Sequence, residues 1–161
     1  MIKPDALRTH ITTALPDLAR DPERLRMWID RGSIRSRQTA SLAFQYGYKL
    51  NVVVLDWTMS PSIIFMLIVQ WVRRNQPDLV ASQAAPGFTF EADIIDTRTI
   101  DLSIELDLTE TVAAVPRDAG GYDLQHHGEP DPMFPDDEPL APATLTELWM
   151  GAERVIPGTA V

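Results

Sequence analysis

Cysteine is absent from the 161 residues. No disulfide can staple the fold and no thiolate can hold zinc, so a reducing compartment fits best. Long apolar runs are missing as well: no stretch approaches the ~20 apolar residues that span a bilayer. The start, Met1-Ile2-Lys3-Pro4-Asp5, has no apolar signal region, which argues against export by a cleaved signal. No Gly-x-Gly-x-x-Gly and no Walker pattern occurs, and Ser33 and Ser41 have no glycine elbow around them. Nothing therefore points to a phosphate-cradling loop or an activated serine.

What is present suffices for one domain and a tail. Hydrophobic residues make up 45% and charged residues 23%, so the chain can bury a core. The net charge of −9 is unevenly spread. Residues 1–80 carry 11 Lys/Arg against 7 Asp/Glu, and residues 81–161 carry 3 against 16. The halves pair within one fold, simply face water, or let like copies attract head to tail; charge counts alone favour the first two.

Periodicity divides the chain. Leu7, Ile11, Ala14 and Leu15 share one helical face, which predicts a helix over 5–15 stopped by Pro16, with a further turn over 17–20. From Arg24, Leu25, Met27 and Ile29 alternate with polar neighbours as in a half-buried strand, and Asp30-Arg31-Gly32-Ser33 reads as a turn. Residues 42–57 alternate over a long strand, with its second half covered on both faces. Ser60-Pro61 opens a helix that is apolar nearly all round and ends at Arg73-Arg74 before Pro77. Such a helix is either central or also meets another subunit.

The clearest alternation follows, in a hairpin over 88–94 and 100–109 with one apolar and one acidic face. Val112–Val115 extends its second strand, 118–121 turn, and 122–126 form a short strand. Residues 128–143 hold five prolines and five carboxylates and read as an extended, self-repelling linker. Residues around Met150-Gly151-Ala152 then suggest a terminal hairpin needing something to dock on. The expected fold is α+β: a four- to five-stranded, mainly antiparallel sheet packed by two helices. Its expected parts are a core over 1–127, a linker over 128–143 and a β-hairpin arm over 144–161.

Three clusters bear on function. Glu91, Asp93, Asp101, Glu105 and Asp107 form one acidic row. Alternation puts carboxylates on one face without gathering two in a pocket, so a polar sheet face is favoured over a hydrolase or hard-metal site. His126-His127 with Glu129 reads as a solvated loop, because adjacent histidines point apart and no distal ligand is evident. His10 reads as a surface residue. Arg24, Arg26, Arg31, Arg35 and Arg37 fall within 14 residues around Trp28. They suit nucleic acid, as in a small DNA-binding regulator, or an acidic protein surface. Trp28, on the polar face of its strand, either meets the N-terminal helix or anchors an interface.

A series of short stretches carries a resemblance. Lys3-Pro4-Asp5-Ala6-Leu7-Arg8, Pro22-Glu23-Arg24-Leu25-Arg26, Gly32-Ser33-Ile34, Ala40-Ser41-Leu42-Ala43-Phe44, Tyr48-Lys49-Leu50-Asn51-Val52, Asn75-Gln76-Pro77-Asp78, Gly87-Phe88-Thr89-Phe90-Glu91-Ala92-Asp93-Ile94 and Leu108-Thr109-Glu110 occur in that order over about residues 1–115. Together they resemble the tail completion protein R (GpR) family of contractile-tailed temperate phages. The resemblance implies a non-enzymatic virion protein, made in the host cytoplasm, with no cofactor, no metal and no catalytic residue to carry over. It implies a hexameric ring like that of tail terminators, at the head-proximal end of the tail. The implied partners are tube and sheath proteins, a neck or connector protein, and DNA only as cargo in the lumen; no membrane is involved. Arg24, Arg26, Trp28, Arg35, Arg37 and Trp149 would then contact a subunit or partner. The acidic row would complement them or line the lumen.

Overall fold

A computed structural model describes residues 1–37, 42–81, 84, 86–129 and 147–156. Among the described residues three α-helices, α1 (Lys3–Ala14), α2 (Pro16–Arg20) and α3 (Pro61–Asn75), accompany seven strands. The strands are β1 (Leu25–Ser36), β2 (Leu42–Trp57), β3 (Thr89–Ile94), β4 (Ile100–Pro116), β5 (Tyr122–His127), β6 (Leu148–Met150) and β7 (Glu153–Ile156). The main sheet is antiparallel and ordered β1-β2-β4-β3, with β5 also on β4. The expected α+β class holds.

Helices cover one sheet face only. Leu50, Val52 and Val54 of β2 and Leu102, Ile104, Leu106 and Leu108 of β4 bury against α3 and α1 in one core. The Ser60 hydroxyl accepts from the Ser62 N–H and Pro61 takes the first turn, so α3 starts where a cap and a fixed φ coincide. Ile63, Ile64, Leu67, Ile68, Trp71 and Val72 are buried, between the sheet and α1. The apolar girth of α3 is thus explained by centrality, with only Val69 exposed among its aliphatic residues. Among the described residues no helix is long and apolar enough to cross a membrane.

Strand length sets what remains open. β4 has 17 residues and α3 has 15. At 3.3 Å per strand residue and 1.5 Å per helical residue these are about 55 Å and 22 Å. The helices cannot cover the whole apolar face. At one end of the long strands Ile34, Leu42, Tyr122 and Leu124 stand more than half exposed. At the other, Phe90 and Ile94 of the fully exposed β3 do the same, with the Phe90 ring 4.6 Å from that of Phe65.

Several expectations are corrected. Asp30–Ser33 is not a turn: β1 runs through it with a bulge between Ile29 and Gly32. The extra residue bends the strand without ending it. The reversal into β2 falls at 37–41, of which 38–41 lie outside the described residues. The second half of β2 is sealed on one face only, because Val53 and Leu55 stay half-buried. Trp57 reaches the core through a register shift between Val54 and Trp57, where Asp56 takes φ 51°. His10 is buried between α1 and α3, and its Nε2 has no hydrogen-bond partner. The helical face holding Leu7 and Ile11 is wide enough to take it in.

The hairpin over 88–109 stands as expected, β4 running on to Pro116. Gly120 and Gly121, with φ 86° and 85°, close the turn into β5. Strands β6 and β7 pair around Gly151, and Leu148 packs on the core. Of the expected linker, residues 130–143 lie outside the described residues, as do 144–146 and 157–161 of the arm.

Candidate functional site

The sheet face without helices gathers most of the residues singled out in the sequence. In register across the sheet, Arg26 lies level with Val53, Ser103 and Glu91. Trp28 lies level with Asn51, Glu105 and Thr89. Beyond the bulge, Arg35 lies opposite Gln45. Period-two alternation keeps all these side chains on one surface. The open face is therefore basic along β1 and acidic along β4 and β3.

Part of that charge is paired within the chain. Lys49 Nζ lies 2.7 Å from Glu105 Oε2 and 3.9 Å from Asp107 Oδ1. The Glu105 hydrogen bond, followed by the Asp107 charge, raises the Lys49 pKa. Asp101 Oδ1 accepts the Asp56 N–H at 2.8 Å. Arg24 donates to the carbonyls of Leu55 and Asp56, which holds the start of β1 to the end of β2. Arg26 Nε donates to the Glu23 carbonyl. Arg35 and Arg37 are exposed and line, with Gln45 and Thr111, an open hollow of about 400 Å³.

Trp28 is 44% exposed, on the face opposite Met27, Ile29 and α1, and its Nε1 donates to Asp30 Oδ1. That placement makes it an exposed aromatic on the charged face. Trp149 is also exposed, with the Arg154 guanidinium 5.7 Å from its ring centroid. Asp93 and Asp101 lie opposite each other across β3 and β4, and among the described residues no group of three or more His, Asp or Glu side chains could hold a metal ion.

Sequence reasoning missed a second polar centre, on the helix side. Glu110 projects into the core at the start of α1, its side chain 2% exposed. Its carboxylate accepts the Ile2 N–H at 2.9 Å, the Lys3 N–H at 3.4 Å, the Tyr46 hydroxyl at 2.8 Å and the Tyr48 hydroxyl at 2.6 Å. No side chain of α1 caps its own N-terminus, so a carboxylate 107 residues away does so, where the helix dipole favours an anion. Burial pushes the Glu110 pKa up, but the Ile2 N–H, the two tyrosine hydroxyls and the Lys3 N–H together outweigh it and hold the group below its ordinary value. Burial first, then the bond to Glu110, pushes both tyrosine hydroxyls well above theirs.

Gln76, 1% exposed, adjoins this centre. Its Oε1 accepts from Lys3 Nζ at 2.7 Å and from the Thr109 N–H at 3.0 Å. Its Nε2 donates to Asp78 and to the Thr109 hydroxyl. Thr109 lies where β4 has neither β3 nor β5 beside it, so Gln76 satisfies a backbone donor that the sheet leaves open. Lys3 also meets Glu129 at 2.6 Å. His126 is not in a solvated loop: it sits in β5 with Nδ1 3.3 Å from Glu110 Oε2, while the alternation turns His127 to the open face. The sequence clue was Glu110 itself, a lone carboxylate on the apolar side of a strongly alternating strand. Networks of this kind, fully satisfied, fix one arrangement of the elements they join.

Comparison with known proteins matches the P2 phage tail completion protein R (GpR) family to residues 1–130. Tail completion protein R of Escherichia phage P2 is 38% identical over 157 residues, covering 96% of this chain and 97% of the phage protein. No solved structure matches. Both the family match and the end-to-end likeness exceed what shared architecture alone requires, and the chain belongs to the tail completion protein R (GpR) family.

Proposed function

We propose that this chain is a structural tail completion protein of a contractile-tailed phage particle. It acts by binding, without chemistry, as a ring at the head-proximal end of the tail. There it ends tube and sheath growth and allows stable joining to the head through a neck protein. The observation that carries this reading is the likeness to the phage P2 protein along almost the whole of both chains. The fold is consistent with it: one open charged sheet face and two uncovered apolar rows are surfaces for partners, not a cleft for a substrate.

The acidic row either complements the arginines of a neighbouring copy or lines a lumen through which DNA passes without sticking. Residues 1–127 would form the assembling core and residues 144–161 an arm carried on the 128–143 linker, with Trp149 as its contact residue. The regulator alternative, DNA binding through Arg24–Arg37, is weakened because Arg24 commits two donors to carbonyls of its own chain.

Disrupting the gene in its phage should leave tails of unregulated length or unjoined to heads, seen by electron microscopy of the lysate. Normal, joined tails would overturn the reading. Glu105→Lys with Asp107→Lys separates the two roles of the acidic row. Weakened assembly assigns it to a contact between copies; normal assembly with slow DNA delivery assigns it to the lumen. Normal assembly and delivery together would remove both.

A further inference from the structure

The two outer edges of the main sheet are a matched pair. Among the described residues no strand pairs with the outer side of β1, and none with the outer sides of β3 and β5. A twelve-residue edge strand left open is an invitation to pairing that folds normally suppress. Both edges are interrupted, and at the same level. The β1 bulge between Ile29 and Gly32 lies opposite Leu50 and Tyr48, which lie opposite Leu106 and Leu108. On the far edge β3 stops at Thr89 opposite Glu105, and β5 begins at His127 opposite Thr111. The break between β3 and β5 thus spans the level of the bulge.

Direction and chemistry agree as well. β1 and β4 run one way, and β2, β3 and β5 the other. A second copy in the same orientation therefore brings its β1 antiparallel to β3 and β5, with no inversion of either molecule. In level register Arg26 of one copy stands beside Glu91 of the next, and Trp28 beside Thr89. On the helix side Met27 stands beside Phe90, which is 54% exposed in the single chain. The contact covers an exposed aromatic and sets a cation beside an anion.

We propose that copies of this chain join edge to edge, β1 of one against β3 and β5 of the next, as a heterologous contact that extends the sheet from subunit to subunit. This rests on the assembling role given above and names its surface. A heterologous contact repeats until rotation closes it, which a ring requires.

Because the chain has no cysteine, cross-linking reads out cleanly. The variant Trp28→Cys/Thr89→Cys is oxidised in concentrated solution and run without reductant. Within one chain the two positions are three strand spacings apart, about 14 Å, too far for a disulfide. Between edge-joined copies they are neighbours, and the expected result is a ladder of multimers. Arg26→Cys/Glu91→Cys tests the same register one pleat along. Each single variant should give no ladder, and mixed singles should give only dimers. A dimer from Trp28→Cys alone means a symmetric contact and overturns the proposal. Absence of a ladder from both pairs, in a protein that is oligomeric by native mass, overturns the edge contact and leaves the ring reading standing. Absence of ladder and oligomer alike overturns both. Arg26→Glu should weaken association roughly fivefold, and adding Glu91→Arg should restore it. Failure of the swap to restore association refutes the pairing of these two residues.

Discussion

Replacing Glu110 by alanine removes the one acceptor shared by two backbone N–H groups and two tyrosine hydroxyls. Each buried donor left without a partner costs about 1–3 kcal/mol. Water will reach some of the vacated space, so the four do not simply add. We expect a loss of about 3–5 kcal/mol, less than the plain sum of four unsatisfied donors. A domain of ordinary stability has about 5–15 kcal/mol, so the variant should be close to unfolding at 37 °C. Glu110→Gln keeps one carbonyl acceptor, brings in two donors where donors already point, and should lose about 2–3 kcal/mol. The measurement is urea unfolding followed by tryptophan fluorescence, since Trp57 and Trp71 are buried in the core. The pH dependence carries the sharper test. The folded pKa of Glu110 lies below its ordinary 4.5, so its contribution is complete above that value and is lost as pH falls through the folded one. Wild type and Glu110→Gln should therefore differ most near pH 7, and the difference should shrink as pH falls below 4.5. An Ala variant within 0.5 kcal/mol of wild type at pH 7, or a Gln difference that persists unchanged to pH 3, would refute the reasoning.

Other sites give independent tests. Gln76→Ala leaves the Thr109 N–H in the β4 gap unsatisfied and should cost about 2–3 kcal/mol in urea unfolding, whereas Asn75→Ala beside it should cost less than about 1 kcal/mol. Asp56, at φ 51°, should tolerate glycine with little change, while valine, which is β-branched, should lower stability by about 1–2 kcal/mol by thermal unfolding. Burial lowers the pKa of His10 against the raising effect of its bond to the Leu67 backbone. The unfolded chain therefore binds that proton more readily, and stability should fall as pH drops below about 6.5. In His10→Leu that slope between pH 6.5 and 5 should flatten, as read by melting temperature.

Much of this architecture was legible in the residues, for reasons that differ by element. β4 alternates without a break from Ile100 to Thr109, and α3 has both a capping serine and a stopping proline, so local chemistry and tertiary burial point the same way. The bulge in β1 was not legible, because Asp-Arg-Gly-Ser carries the same local signal whether the chain reverses or makes room for one extra residue. Nor was the burial of His10: α1 is covered by α3, whose position depends on contacts far away in sequence. Among candidate site residues, alternation placed the acidic row on one face. It could not reveal that Arg26 and Trp28 share that face, since strand order is not written in any one strand. Glu110 was passed over because its partners come from α1 and β2 and no spacing rule connects them.

The placement of charge fits the structural role of the tail completion family. A catalytic carboxylate needs a dry pocket and a neighbour that shifts its proton affinity. The acidic row has no such pocket, standing along an open face where water screens it. Glu110, the one dry carboxylate among the described residues, has its acceptor capacity taken up by donors of the same chain and is held in its charged form. It works as a rivet between the start of α1 and the middle of the sheet. A rigid core that leaves its charges and strand edges to the outside suits a molecule whose neighbours complete it. Screening then makes a definite demand: if contacts between copies use that open face, raising salt from 0.05 to 0.5 M should loosen the assembly while leaving the unfolding midpoint of the single chain nearly unchanged.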